Sequence, residues 1–216
     1  MRSGTRLIVA AGISSVLLTA EPAHAEQCIT AETLSESGLE LNYDDGSRFY
    51  YQREGELLYY TAIDSTHSGS LASVPRIALG HHGLLRNNWD GTATGEGKIV
   101  HTHRPETTML QPVPNTTFLT TRSSWRVDEH GNRQEQPIAL EPLEFHFGSL
   151  TELEHDSCVY KGLLLETQTT LESGDPPLQL SGIWLIKLRL FVVNRIFREG
   201  HFDITREITK FTATEL

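Results

Sequence analysis

A chain of 216 residues, 38% of them apolar, is long enough for one domain with a full hydrophobic core of its own. Its 18 basic and 28 acidic residues give a formal net charge of −10, which sets the surface against phosphate backbones and anionic bilayers. Nucleic acid is therefore excluded as a natural partner.

The first 25 residues read as an export signal. Arg2 and Arg6 form a short positive region, Leu7 to Ala20 an apolar one, and Ala23-His24-Ala25 the small-x-small pattern cut by signal peptidase. The apolar run is too short and too rich in Ala, Gly and Ser for a transmembrane span, and no second run of about 18 apolar residues follows, so no integral membrane helix is expected. Cleavage after Ala25 leaves residues 26–216 as a single β-rich domain, periplasmic or secreted. Only two cysteines exist, Cys28 and Cys158. In an oxidising compartment an even pair reads as a disulfide, here closing a loop of about 130 residues. Two free buried thiols are the other reading. A lipoprotein cysteine would sit at the cleavage point itself, and Glu26 and Gln27 intervene.

Beyond the signal, Thr30 as a cap, acids in the first turn and Gly38 past the end predict a helix of two turns. The period then changes. Leu39 to Tyr43 and Arg48 to Arg53 flank Asp44-Asp45-Gly46-Ser47, a hairpin with turn chemistry where it is needed. Glu56 to Ile63 is apolar on both faces and belongs inside a sheet. Arg76 to Leu79, Gly83 to Asn87 and Lys98 to His103 are further strand candidates. Thr117 to Val127 alternates: Leu119, Thr121, Trp125 and Val127 share one face, and Thr120, Arg122, Ser124 and Arg126 the other. Between Asp128 and Asp156, eight acids face one base, Arg133. Val159 to Leu171 places Leu163, Leu165 and Leu171 inward. Ile183 to Val193 is the most apolar run after the signal and reads as one strand. Phe202, Ile204 and Ile208 share a face. Asp64 to Val74 and Arg104 to Asn115 are long polar or Pro-rich loops. Many short antiparallel strands without strand–helix alternation define an all-β fold: an antiparallel meander forming a curved sheet, barrel-like or a sandwich, with a short N-terminal helix.

Few residues suggest chemistry. Nine histidines follow the signal. On a strand, His101 and His103 point the same way, so both imidazoles can meet one Zn²⁺ or Cu²⁺, with His81-His82 as a source of a third ligand. Metal sites need three or four ligands and the spacing marks two, so no metal or cofactor is assigned. Phe145-His146-Phe147-Gly148 shares four residues with the zinc strand of α-class carbonic anhydrases but lacks its paired histidine and tryptophan, in a chain too short for that fold. G-x-S-x-G and S-x-x-K nucleophile motifs are absent. Asn115-Thr116-Thr117 matches a short glycosylation acceptor.

The order Cys28, short helix, Gly38, Asp45-Gly46, His82-Gly83, Trp125, Ser157-Cys158-x-Tyr160 and C-terminal β-strands resembles a group of uncharacterised exported bacterial proteins. The resemblance spans most of the chain after the signal, as scattered residues, and implies an exported address, a cysteine pair and no activity. The expected function is a non-enzymatic, exported, β-rich binding or envelope-associated protein, its partner an unknown small molecule or envelope protein. The alternatives are a metal-binding protein or metal-dependent hydrolase using His101 and His103, and a small outer-membrane β-barrel. Against the last, the strands lack a regular lipid-facing alternation with aromatic girdles.

Overall fold

The computed structural model describes residues 28–63, 74–91, 97–105, 110–128, 130–171 and 173–214. The cleavage point at Ala25 and most of the loop from Asp64 lie outside them. Among the described residues one α-helix, α1 (Ala31–Glu36), precedes thirteen strands: β1 (Leu39–Tyr43), β2 (Arg48–Glu54), β3 (Leu57–Ile63), β4 (Arg76–Leu79), β5 (Arg86–Gly91), β6 (Gly97–Arg104), β7 (Thr116–Val127), β8 (Ala139–His155), β9 (Cys158–Thr169), β10 (Leu178–Leu185), β11 (Leu190–Arg198), β12 (Phe202–Thr205) and β13 (Ile208–Ala213). Thr30 caps α1, its hydroxyl accepting from the Thr33 amide at 3.1 Å, and Gly38 leaves the helix at φ 88°. Leu34 is the helix's buried residue, so one apolar side chain docks this turn on the sheet.

All strands lie in one open, curved antiparallel sheet of order β12-β11-β10-β9-β8-β7-β6-β5-β4-β3-β2-β1-β13. No second sheet packs on it among the described residues, so the curved sheet is the form adopted and the sandwich is not. From β1 to β12 each strand pairs with its successor in the chain, which suits hairpin connections. The exception organises the whole. The edge strands β12 and β13 are consecutive in sequence, separated only by Arg206 and Glu207. The segment from Phe202 to Ala213 thus pairs first with β11 and then with β1, carrying one sheet margin onto the other.

Two clusters of buried residues form the core. Leu34, Leu39, Leu41, Leu58, Leu188, Leu190 and Phe211 belong to the first, under α1. Leu85, Leu110, Phe145, Phe147, Leu163, Leu165 and Trp184 belong to the second. The Cys28–Cys158 disulfide is present, with Cα atoms 5.5 Å apart. It anchors the segment before α1 to the start of β9, where the Tyr160 hydroxyl also accepts from the Ile29 amide at 2.9 Å.

One sequence reading changes, and three segments gain detail that the sequence left open. Ile183 to Val193 is not one strand: β10 and β11 meet across a turn at Ile186–Arg189, whose positive φ of 46° falls on Arg189 and not on a glycine. The 17-residue β8 occupies the acid-rich stretch that carried no strand assignment. β7 divides as its alternation implies, but Thr120 and Ser124 are buried while Leu119 is 61% exposed, so the polar side faces in. Phe202 and Ile204 share the exposure of all of β12.

Candidate functional site

The concave face is not filled to its centre. A cavity of about 510 Å³ remains, walled by side chains from strands throughout the sheet. Its size falls within the ~300–1,000 Å³ of small-molecule sites. One wall is aromatic. Tyr43, Phe49, Tyr51 and Tyr60 come from β1, β2 and β3, with ring centroids 5.7 Å apart for Tyr43–Phe49 and 5.8 Å for Tyr51–Tyr60. Burial pushes the Tyr43 phenol up to about 12 and raises that of Tyr51 well above its ordinary value, so both rings stay neutral. Leu143 and Phe145 of β8, Leu180 of β10 and Ile196 of β11 extend the apolar lining.

A 3₁₀ turn at His81–Gly83 delivers Leu84, Leu85 and Arg86 to the cavity. Gly83 sits at φ 65°, and a Cβ there would lie 2.0 Å from the Arg189 carbonyl oxygen. Only glycine permits this approach of turn to β10–β11 loop. The Trp184 indole donates to the His82 carbonyl at 2.9 Å and fixes the same turn.

Charge enters the wall at three arginines and one acid. Arg122 of β7 and Glu141 of β8 are cross-strand partners, 13% and 16% exposed at their side chains. Nε and Nη2 of Arg122 both donate to Oε2 of Glu141, at 2.8 and 2.6 Å. Arg206 is held differently. Its guanidinium lies 4.0 Å from the Tyr43 ring centroid, and it donates from Nε to the Val193 carbonyl at 3.1 Å and from Nη1 to Ser47 Oγ at 3.2 Å. It rivets the β12–β13 link to the β1–β2 hairpin and to β11.

The two histidines singled out in the sequence stand next to this wall. His103 and His101 of β6 are register partners of Arg122 and Ser124, and His101 Nδ1 lies 3.0 Å from Ser124 Oγ. The Nε2 atoms of both are buried without a hydrogen-bond partner. Burial, then Arg122 and Arg86, lowers His101 to about 3, and burial followed by Arg122 lowers His103 to about 4. An imidazole beside an arginine suffers the repulsion a divalent cation would meet there. Among the described residues no group of three or more His, Cys, Asp or Glu is arranged to hold a metal ion. His82 stands instead against Trp184, with ring centroids 6.0 Å apart.

Sequence reading found His101 and His103 but missed the cavity and Arg122–Glu141. The alternation placed Arg122 on one face of its strand without saying which face turns inward. Glu141 begins the inward series Glu141, Leu143, Phe145, Phe147, a period-2 signal that was present in the sequence.

We find no protein family, no curated protein and no solved structure that matches this chain.

Proposed function

We propose that this is a non-enzymatic, exported carrier or binding protein whose curved sheet holds an apolar small molecule on its concave face. The observation that carries the reading is the cavity of about 510 Å³, lined by leucines, isoleucine and a cluster of aromatic rings. Close packing leaves few voids larger than a water molecule in an ordinary core, so a space of this size is a feature of the design. The disulfide and the absence, among the described residues, of a helix long and apolar enough to cross a membrane are compatible with an exported protein. An outer-membrane channel would line its interior with polar groups, and this concave face is mostly apolar.

Binding of the neutral dye N-phenyl-1-naphthylamine tests the reading. Saturable fluorescence enhancement at one site per chain is expected. Leu180→Trp, which places an indole in the cavity, should weaken it by about tenfold or more. Dye fluorescence that rises without saturation, or that the Leu180→Trp protein reproduces while still folded, would remove the proposal.

A further inference from the structure

The cavity wall has a sign. Among the described residues, Arg86, Arg122 and Arg206 line it with a single carboxylate, Glu141, in a chain whose net charge is −10. Arg206 is already engaged by the Val193 carbonyl, Ser47 and two aromatic rings, with Asp45 Oδ2 at 3.9 Å. Arg122 is less fully engaged. Both of its contacts to Glu141 fall on one oxygen, so Nη1 of the guanidinium and Oε1 of the carboxylate stand outside the pair. Arg86 reaches the same wall from β5, close enough to act electrostatically on Arg122 and His101. A buried ion pair recovers its desolvation cost only when further hydrogen bonds complete it. Here one carboxylate stands against two guanidiniums beside leucine and phenylalanine side chains. A molecule with an apolar tail and an anionic end complements both parts of that surface.

We infer that the ligand is a single-chain anionic amphiphile, its tail lying among Leu143, Phe145 and Leu180 and its carboxylate or phosphate head received by Arg86 and Arg122. The inference rests on the reading of this cavity as the ligand site. Glu141 then has a definite part. It orients Arg122 before the ligand arrives and competes with the ligand's head for the same guanidinium. Charge-assisted hydrogen bonds of the bidentate kind give arginine both the affinity and the geometry for such a head.

Displacement of bound N-phenyl-1-naphthylamine at pH 7.5 by three compounds with the same tail tests this: oleate, oleoyl lysophosphatidate and oleyl alcohol. An acid is expected to displace the dye at a concentration about tenfold lower than the alcohol, and the order of the two acids tells a carboxylate ligand from a phosphate one. Glu141→Gln should lower the oleate concentration needed by a further factor of about ten and leave the alcohol unchanged. A purely structural role for Glu141 would not produce that gain. Arg122→Gln combined with Glu141→Gln removes the ion pair as a whole, leaves Arg86 in the wall, and should shrink the advantage of acid over alcohol below its wild-type value while dye binding persists. Acids no better than the alcohol in the wild-type protein, or weaker oleate binding by Glu141→Gln, would overturn the inference and leave the carrier reading standing. A protein that takes up neither dye nor alcohol would end both.

Discussion

His101 and His103 show how much a side chain's meaning depends on its neighbours. Their i, i+2 spacing marks two imidazoles on one face, and that much is legible in the sequence. That Arg122 is the register partner of His103 is not, because the pairing joins strands across a connection of more than ten residues. Both histidines are held below their ordinary value, at about 3 and about 4. They are neutral in the fold, whereas in the unfolded chain they gain protons as the pH falls through about 6.5. The unfolded state then binds more protons, so stability decreases with falling pH from about 6.5 toward about 4. Replacing both by glutamine should shrink the drop in melting temperature between pH 7.5 and pH 4.5 by at least about 4 °C, whatever its effect at pH 7.5. An undiminished drop in differential scanning calorimetry would show that other groups carry the acid response.

Strands and turns were readable to different degrees. The β1–β2 hairpin announces itself through Asp44-Asp45-Gly46-Ser47, and α1 through its Thr30 cap. The β10–β11 turn does not, because Ile186-Lys187-Leu188-Arg189 contains none of the residues that usually supply a positive φ, and Leu188 is itself buried. β8 was obscured by its acids and by Pro142, although Leu143, Phe145 and Phe147 alternate inward through it. Cavity formation was beyond sequence reading altogether, since its walls assemble from strands spread between Tyr43 and Arg206. The disulfide is the cross-link that holds α1 and its leading segment on β9. Its closed loop spans 130 residues, for which loop-closure entropy sets a stabilisation of about 5 kcal/mol as an upper figure. Cys158→Ser should cost about 2–5 kcal/mol in urea denaturation. Cys28→Ser should cost the same, and the double variant no more than either, because one bond is lost in each case. Additive losses would mean that the two sulfurs act separately.

At the scale of the whole molecule, the exported address is the claim made by residues 1–25. N-terminal sequencing of the protein recovered from the periplasm or medium should read Glu26-Gln27-Cys28. An intact Met1 on exported, folded material would refute it. With that terminus Cys28 would lie two residues inside the mature chain, and the disulfide would secure the sheet's first segment almost from its beginning. The sheet's last pairing is of another kind. Glu40 in β1 meets Lys210 in β13 across 170 residues of sequence, and the same late segment must first lie along β11. Until it arrives, β1 and β11 each expose an unsatisfied row of backbone amides and carbonyls, and the concave side lies open. A chain threaded through a translocon with its N-terminus leading would therefore stay adhesive for nearly its entire passage, and would need chaperone cover for that interval. A ligand held as proposed would follow the same timetable: the concave side gains its last wall only after the segment from β12 to β13 has joined β11 to β1.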